Sequence, residues 1–455
     1  MDEIKTIVDT QRRFFISGKT LPVSQRKKAL QSLLTMVDEN QQMIFDALFA
    51  DLHKSEFESY MTEVGLVLTE IRHAMKNLDA WTSVKKVRTP LYLFPSKSSI
   101  HPTPYGIVLI MAPWNYPFQL CLVPLIGALA AGNTAILKPS AYAPAVSHCI
   151  AELIQRYFPS EYISVIEGGR EENGSLLEQH FDFIFFTGGS QMGKIVMTAA
   201  AKNLTPVILE LGGKSPCIVD QTADLKNAAR KIVFGKLLNA GQTCVAPDYL
   251  LVHESVKDAI IHNLIEEFDR AFPNQDFSDY PVIINEKHFD RLSRLIRGEN
   301  VIYGGKSDRD RRFFEPTILF PVQWETPIMQ EEIFGPILPV LTYEDVNDII
   351  DRLRELPKPL ALYLFTEDRK TEKKITENVA FGGGCVNDTV MHLSNPNLGF
   401  GGIGESGMGQ YHGKNSFDSF THYKSMVKTP VWPDLPIRYH PYTKQNLNRL
   451  KRFLK

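Results

Sequence analysis

The sequence predicts an α/β protein built on a doubly wound parallel sheet, with a second α/β lobe and a small β arm. Between residues 106 and 210, short apolar runs alternate with helical stretches, and the alternation resumes after about residue 225. Parallel strands need crossover connections, so this alternation is typical of a parallel sheet covered by helices on both faces. The 455 residues, 44% of them hydrophobic, suffice for two large domains with substantial cores.

The first 80 residues are predicted to form helices that pack on the sheet rather than carry chemistry. An apolar stripe at the spacing i, i+3, i+4, i+7 indicates a helix with one buried face. It consists of Leu30, Leu33, Leu34 and Val37. Further on, Pro90 and Pro95 bracket the β-prone run 91–94, which predicts a hairpin arm.

Five strands and four helices are expected between residues 106 and 210, in a Rossmann-like arrangement. The strands are 107–111, 134–137, 163–166, 182–186 and 206–210, and the helices are 118–131, 145–157, 171–180 and 190–202. Strands of the second lobe are expected at 249–252, 282–284, 337–341 and 360–365. Ligands of such sheets bind beyond the carboxyl ends of the strands. The segments there are 113–117, 138–140, 188–193 and 210–213.

Charge and cysteine content narrow the function classes. Lys and Arg total 50 against 52 Asp and Glu, a net charge of −2, so nothing favours nucleic acid as a partner. Five cysteines are too few and too irregular for a disulfide framework, and no CxxC pair predicts a metal site. The N-terminus lacks the features of a signal peptide, so a cytoplasmic protein is expected.

Two segments raise the question of a membrane. The stretch 101–137 has no charged residue, but its prolines, glycines and asparagines divide it into strand, loop, helix and strand, which predicts buried core. The tail 436–455 carries six basic residues and no acid. One face of a short helix there would hold Leu447, Leu450, Phe453 and Leu454. Weak contact with a membrane surface is one interpretation. A solvated tail, or one packed on a partner, is the favoured interpretation.

Two glycine patterns resemble phosphate-binding loops. Gly402, Gly404 and Gly407 satisfy G-x-G-x-x-G, but they follow no βαβ start, so we interpret the match as coincidence. The segment 188–195 follows a strand, opens a helix and fits a triphosphate-binding loop except at Ile195, where a hydroxyl should hold Mg²⁺. Glycines at a helix N-terminus still suit a pyrophosphate, and a purely structural turn is the alternative.

Three polar residues have settings that suit chemistry at a cleft. Cys244 lies in a loop of small residues, as an accessible nucleophile would, whereas the thiols of Cys121 and Cys217 lie in apolar elements and are expected to behave as small hydrophobes. Glu210 ends an apolar strand beside two glycines, where desolvation would raise its pKa into the range of a general base; a capping or lysine-paired acid is the alternative. Asn115 is either an amide donor to an oxyanion or a turn residue.

Together these segments resemble the aldehyde dehydrogenase superfamily over essentially the whole chain. The motifs are APWNYP (112–117), LKPS (137–140), FTGGSQMG (186–193), ELGGKSP (210–216), NAGQTCVAPDY (239–249), EEIFGP (331–336) and VNDTVMH (386–392). The cysteine context and chain length look most like the class 3 branch, whose members oxidise fatty and aromatic aldehydes. The resemblance implies an aldehyde dehydrogenase-like fold and NAD(P)-dependent oxidation of an aldehyde to a carboxylic acid.

The resemblance also implies roles for the residues. Cys244 would attack the aldehyde as a thiolate to give a thiohemiacetal, with the Asn115 amide and the Cys244 backbone N–H as oxyanion donors. Glu210 would activate the water that hydrolyses the thioester. Tyr116 and Phe400 suggest an apolar substrate funnel, with ordinary core packing as the alternative. Binding of NAD or NADP would fall to Lys138, Ser140, Gly188, Gly193, Glu332 and Phe334.

This chain departs from its relatives at two cofactor positions. Ala141 stands where many NAD-preferring members have a glutamate, whose absence removes repulsion against a 2′-phosphate, so NADP is expected to be accepted as well as NAD. Gly189 stands where relatives usually have a polar residue that can touch phosphate.

The resemblance divides the chain into four parts. Residues 1–85 and 104–210 would form an NAD(P)-binding domain and 211–412 a catalytic domain. Residues 86–103 and 413–435 would form an oligomerisation arm of a homodimer, followed by the basic tail 436–455. Two other functions stay open at this point: acyl transfer to coenzyme A, which the general base Glu210 disfavours, and a non-catalytic binding protein on the same fold.

Overall fold

Helices and strands alternate along the chain, which the computed structural model describes over residues 2–434 and 436–454. The helices are α1 (Asp2–Ile16), α2 (Val23–Glu39), α3 (Gln41–Leu52), α4 (Glu56–Ser59), α5 (Gly65–Thr82), α6 (Gln119–Ala131), α7 (Pro144–Tyr157), α8 (Arg170–Leu177), α9 (Ser190–Ala201), α10 (Leu225–Leu237), α11 (Lys257–Ala271), α12 (Glu286–Leu295), α13 (Pro327–Gln330), α14 (Val346–Glu355), α15 (Arg369–Asn378), α16 (Gly413–Ser419) and α17 (Lys444–Phe453). The strands are β1 (Lys85–Val87), β2 (Lys97–Pro104), β3 (Ile107–Met111), β4 (Thr134–Lys138), β5 (Ile163–Val165), β6 (Phe183–Thr187), β7 (Val207–Glu210), β8 (Pro216–Val219), β9 (Tyr249–His253), β10 (Val301–Tyr303), β11 (Ser307–Asp308), β12 (Phe313–Phe314), β13 (Thr317–Leu319), β14 (Ile337–Tyr343), β15 (Ala361–Phe365), β16 (Gly383–Val386), β17 (Gly407–Met408) and β18 (Thr421–Lys428). A π-helical turn, Tyr60–Val64, joins α4 to α5.

The first sheet confirms the predicted doubly wound arrangement. Its order is β17-β7-β6-β3-β4-β5, with β3 to β7 parallel and β17 antiparallel to β7. Strands β3, β4 and β6 are buried along their whole length, as expected for parallel strands covered on both faces. The chain runs outward from β3 to β5 and then returns to β6 beside β3. The crevice beyond the carboxyl ends of β3 and β6 is therefore the expected ligand site.

The second sheet forms the second predicted lobe. Its order is β10-β13-β14-β9-β8-β15-β16, and only β10 runs antiparallel to its neighbour among these described strands. The strand predicted at 282–284 is wrong. There the backbone N–H groups of Val282, Ile283 and Ile284 bond to three unrelated acceptors, namely Leu52 O, Arg312 O and the Gln242 side chain, rather than to a neighbouring strand.

The arm is a three-stranded antiparallel sheet in the order β1-β2-β18. The β-prone run 91–94 does not itself form a strand: Leu91–Leu93 form a 3₁₀ turn in which Leu93 N–H donates to Pro90 O and Phe94 N–H donates to Leu91 O. The turn joins β1 to β2, so the predicted hairpin itself is confirmed. Side chains of β18 after Thr421 are exposed, and no other described strand pairs with its outer edge.

The N-terminal helices pack on the first sheet as predicted. Leu30, Leu33 and Val37 of α2 are fully buried in the core that α2 shares with α5 and α6. The uncharged stretch 101–137 divides into strand, helix and strand, with the helix α6 buried on all sides. Within the described ranges, every helix is too short or too polar to cross a membrane.

Candidate functional site

The loop after β3 and the loop between α10 and β9 meet at the crevice. The first carries Asn115 and Tyr116, and the second carries Thr243 and Cys244. Asn115 Nδ2 donates to Gln242 O at 3.0 Å, and the hydroxyl groups of Tyr116 and Thr243 lie 2.5 Å apart. These bonds join two segments that are 127 residues apart in sequence.

Cys244 is half-buried, and its thiol is held in the protonated form. Burial raises the pKa of the Cys244 thiol to about 12, and the carboxylates of Glu332 and Glu210 raise it as well. The backbone N–H groups of Cys244 and Val245 point at the sulfur and lower the pKa in part. Since only the thiolate is strongly nucleophilic, attack by this sulfur needs a base or a change in the neighbouring charges.

Glu210 is a buried carboxyl group without a hydrogen-bond partner. The residue is 2% exposed, and neither carboxylate oxygen bonds to any described residue. Desolvation therefore raises the pKa of Glu210 well above its usual range. The alternatives of a helix cap and of a lysine-paired acid do not describe its surroundings. A strongly perturbed carboxyl group beside a cleft is typical of a general base.

Asn115 is buried, and hydrogen bonds hold both its main chain and its side chain. Its main-chain oxygen accepts from Lys54 Nζ at 3.2 Å and from Asn239 Nδ2 at 2.7 Å. Its side chain donates one N–H to Gln242 O, and an amide has a second N–H to donate. A side-chain amide and a backbone N–H, such as that of Cys244, are the kinds of donor that an oxyanion beside the sulfur would need.

The residues assigned to the dinucleotide line the carboxyl ends of β4 and β6. Lys138 ends β4, and its Nζ donates to Pro139 O at 2.8 Å and to Gly168 O at 2.6 Å. Burial lowers the pKa of Lys138, and Glu172 opposes the change. Ser140 follows it, and its hydroxyl accepts from the N–H of Tyr142.

Gly188 and Gly193 allow a close approach at the start of α9. A Cβ atom on Gly193 would lie 2.7 Å from Leu211 Cδ2, and one on Gly188 would lie 2.6 Å from the Phe186 ring. Helix α9 begins at Ser190 and no side chain caps it, so its first N–H groups are free for an acceptor. Backbone packed this tightly at a helix N-terminus fits a pyrophosphate group.

Glu332 and Phe334 reach the same crevice from the second lobe. A Cβ atom on Gly212 would lie 2.1 Å from Glu332 Oε2, so the carboxylate lies directly on the backbone that follows Glu210. Burial and the charge of Asp248 raise the pKa of Glu332 to about 8. Phe334 adopts a left-handed backbone with φ of +49°, and its ring meets Trp114 edge-on at 5.3 Å.

The two aromatic residues assigned to a substrate funnel have different surroundings. Tyr116 lies within the site, since its hydroxyl meets that of Thr243 and its ring lies under Lys54 Nζ at 4.0 Å. Phe400 is buried in the core, where its ring packs against Tyr411 at 5.7 Å and its backbone forms a bridge with the same residue.

Sequence reasoning missed several residues that border the site. They are Lys54, Glu58, Glu63, Trp114, Thr243, His288 and Tyr411. Helical periodicity gives no signal for a charged residue that is buried by a partner distant in sequence. Trp114 and Thr243 lie inside quoted motifs, so attention to every polar or aromatic position of those motifs would have found them.

Comparison with known proteins gives one family. The sequence profile described as the aldehyde dehydrogenase family matches residues 1–426. A Staphylococcus aureus protein named 4,4'-diaponeurosporen-aldehyde dehydrogenase is 51% identical over 449 residues, 98% of this chain and 97% of the relative. Human aldehyde dehydrogenase family 3 member B1 is 43% identical over 454 residues, 99% of this chain and 97% of the relative.

Solved structures agree with the sequence relatives. The substrate-bound state of Staphylococcus aureus AldH superposes with a TM-score of 0.98 at 49% identity, covering 99% of both chains. An indole-3-acetaldehyde dehydrogenase complexed with NAD+ is 27% identical, with a TM-score of 0.86 over 94% of this chain and 89% of that one. The glyceraldehyde-3-phosphate dehydrogenase GapN of Methanocaldococcus jannaschii, complexed with NADP, is 25% identical, with a TM-score of 0.84 over 94% of both chains. This chain therefore belongs to the aldehyde dehydrogenase family, close to its family 3 members, and is an oxidoreductase that oxidises aldehydes.

Proposed function

We propose that the protein oxidises medium- or long-chain aliphatic or aromatic aldehydes to carboxylic acids with NAD or NADP, through covalent intermediates on Cys244. One observation carries the proposal: the loop of Asn115 is bonded to the loop of Cys244, and the buried Glu210 carboxyl group, which has no hydrogen-bond partner among the described residues, lies close enough to the Cys244 sulfur to raise its pKa. Cys244 is the nucleophile, Asn115 and the Cys244 N–H are the oxyanion donors, and Glu210 is the base.

The first step forms the carbon–sulfur bond. The thiol proton passes to the Glu210 carboxylate, whose raised pKa lets it hold the proton, and the loss of its charge removes one cause of the high thiol pKa. The thiolate then attacks the aldehyde carbon, and the carbonyl electrons move to the oxygen. The Asn115 amide and the Cys244 N–H donate to that oxyanion, which gives the thiohemiacetal.

The second step needs a hydride acceptor, and the crevice fits NAD or NADP. When bound, an oxidised nicotinamide would accept the hydride as the C–H bond of the adduct breaks and its carbonyl reforms, and a thioester would remain on Cys244. Lys138, Gly188 and Gly193 are proposed to hold the adenosine ribose and pyrophosphate. Glu332 and Phe334 are proposed to hold the nicotinamide ribose and ring.

The last step releases the acid. Glu210 first releases the thiol proton to solvent, and its carboxylate then takes a proton from a water molecule, whose oxygen adds to the thioester carbonyl. The carbon–sulfur bond then breaks and Cys244 leaves as a thiolate. A buried base beside the sulfur supports hydrolysis over transfer of the acyl group to coenzyme A.

Two broader features complete the proposal. The exposed edge of β18 suits pairing with a second copy of the chain, so we expect a homodimer.

The exposed helix α17 carries basic side chains and an exposed Leu447, which agrees with a tail that is solvated, packed on a partner or in weak contact with a membrane surface. Cytoplasmic location stays an expectation from the cysteine content.

The test is turnover with both nucleotides over a panel of aldehydes. The absorbance of the reduced nicotinamide is followed with aliphatic aldehydes of increasing length, a benzaldehyde and 4,4'-diaponeurosporen-aldehyde, the named substrate of the Staphylococcus aureus relative. Product identification with and without coenzyme A separates acid from thioester. The Cys244→Ser variant is expected to lose roughly a thousandfold or more in kcat, whereas Cys385→Ser is the matched thiol control. Undiminished turnover by Cys244→Ser, or none by the native protein, would overturn the proposal.

A further inference from the structure

Three charged residues lie behind the reactive loops without a part in the chemistry above. Lys54, Glu58 and Glu63 come from one segment between α3 and α5. Lys54 Nζ and Glu63 Oε1 are 2.6 Å apart, and both side chains are fully buried. Withdrawing each ion from water costs several kcal/mol, on the order of the whole gain from their pairing, so stability alone is a poor reason for a charged pair here.

The ion pair holds the Asn115 loop at two points. Lys54 Nζ donates to Asn115 O at 3.2 Å. Glu63 Oε2 accepts from the N–H groups of Phe118 and Gln119, at 2.9 and 3.1 Å, where the loop enters α6. A carboxylate at a helix N-terminus binds donors that have no partner within the helix. The cation therefore fixes the loop at its centre, and the anion fixes its exit.

Glu58 holds the opposite loop. Its Oε1 accepts from the N–H of Asn239 at 2.6 Å. Asn239 has a left-handed backbone with φ of +52°, a conformation that asparagine adopts more readily than most residues other than glycine. Its side chain donates to Asn115 O at 2.7 Å and to Gln242 O at 3.1 Å. The loops of Asn115 and Cys244 are therefore linked to each other and anchored on the same segment.

We propose that Lys54, Glu58 and Glu63 are positioning residues that hold the Asn115 carboxamide at the oxyanion beside Cys244. The inference rests on the proposed roles of Asn115 and Cys244. A dipole stabilises developing charge only when its direction is fixed before the reaction. One N–H of the Asn115 carboxamide donates to Gln242 O, and this bond sets the direction of the second N–H. The same oxygen accepts from the Asn239 side chain, whose backbone N–H is held by Glu58.

The test is a double-mutant cycle between the ion pair and Asn115. Lys54→Met with Glu63→Gln removes both charges and keeps the size of the side chains and an acceptor for the α6 N–H groups. In the native background kcat should fall about tenfold or more, since small misplacement of reacting groups is costly, with the Kd of the nucleotide unchanged. In an Asn115→Ala background the same change should cost less than about twofold, because the positioned group is gone.

Lys27→Met with Asp79→Asn is the matched control. This pair is also 2.6 Å apart, but it is exposed and joins α2 to α5 away from the crevice, so kcat should not change. Equal losses from the Lys54 and Glu63 change in both backgrounds would overturn the inference. A failure of the proposed function is recognised separately, as absence of aldehyde oxidation by the native protein.

Glu58 gives a second measurement if the ion-pair variant does not fold. Glu58→Ala removes the acceptor of the Asn239 N–H and should lower kcat about tenfold. Glu58→Gln keeps an oxygen acceptor and should recover most of that loss. Native activity in Glu58→Ala, or equal losses in both variants, would overturn the role of Glu58.

Discussion

The charge state of Cys244 depends on two carboxyl groups as well as on burial. Glu332 and Glu210 both raise the pKa of this thiol, and two backbone N–H groups only partly offset them. The sulfur is therefore unreactive until protonation of a neighbouring carboxylate, or binding of a substrate, lowers the pKa of the thiol. This protects a half-exposed cysteine from adventitious oxidation and alkylation, since both reactions need the thiolate.

Alkylation of Cys244 in the ligand-free protein should depend steeply on pH. With a thiol pKa of about 12, the thiolate fraction rises roughly tenfold for each pH unit throughout the range of stability, so the rate with iodoacetamide should rise in proportion. Glu332→Gln removes one of the charges that raise the pKa of the thiol and should accelerate the reaction above about pH 8, where the Glu332 carboxyl group is ionised. A plateau in the rate below about pH 9 would contradict the assignment.

Replacing Glu210 by glutamine should separate the two halves of the reaction. The amide keeps the shape but accepts no proton, so hydrolysis of the thioester should slow roughly a hundredfold or more. At alkaline pH we expect a burst of reduced nicotinamide, followed by slow turnover, and mass spectrometry should find acylated Cys244. Steady-state turnover equal to that of the native protein would show that another group activates water.

Position 141 should control the choice between NAD and NADP. Ala141 is exposed beside Ser140. In the proposed binding mode, a glutamate at this position would meet a 2′-phosphate. Ala141→Glu should lower kcat/KM with NADP roughly tenfold or more through charge repulsion and leave NAD nearly unaffected. Steady-state kinetics with both nucleotides check this. A native preference for NAD of about a hundredfold, which corresponds to about 2.7 kcal/mol, would contradict the expected use of NADP.

At the scale of the elements, the close contact of α9 with the end of β7 shapes the crevice in which we propose that the nucleotide binds. In Gly193→Ala either α9 or the Leu211 side chain must shift, since the new Cβ would lie 2.7 Å from a leucine methyl. Overpacking of this kind costs about 1–3 kcal/mol, so the Kd of NADH should rise about tenfold. Fluorescence titration measures it. Gly174→Ala in α8 is the control, because its Cβ would meet nothing within 4 Å. An unchanged Kd for Gly193→Ala would remove this contact from the binding site.

The elements that the sequence predicted share one property, a long apolar run with a regular period. Strand β3 and helix α6 are examples, and both follow the expected bounds within a residue. The strand expected at 282–284 failed because three apolar residues have no period, and their N–H groups find loop acceptors instead. Strand β16 begins with two glycines, which carry no burial pattern, so it was not expected.

The site was predictable where a motif is short and contiguous in sequence. Cys244, Glu210 and Asn115 were expected from local settings, and the structure brings their segments together. The buried pair Lys54 and Glu63 was not expected, because charge burial is decided by a partner and a loop far along the chain. Those residues belong to the site because folding places them next to the Asn115 loop, and their sequence context gives no sign of it.

At the scale of the whole molecule, the outer edge of β18 should set the oligomeric state. Exposed apolar side chains on it include Met426 and Val427, at 46% and 53%. Replacing both by glutamate should convert a dimer to a monomer, because charge on an edge strand opposes pairing with a second copy. Light scattering with size exclusion measures the mass. Ile16→Glu, at 75% exposure on α1, is the control. A native monomer, or a variant that stays dimeric, would contradict this use of the arm.

The two-residue strand β17 has one more consequence. It returns from the second lobe to pair with β7, with Gly407 opposite Glu210, and Leu211 N–H donates to Ser406 O at 3.1 Å. The first sheet, whose strand β7 ends at Glu210, is thus completed by β17, which follows the second sheet in the sequence. A rotation that separated the two halves would break the pairing of β17 with β7. We therefore expect the reduced nucleotide to leave through movements of the loops at the rim of the crevice alone.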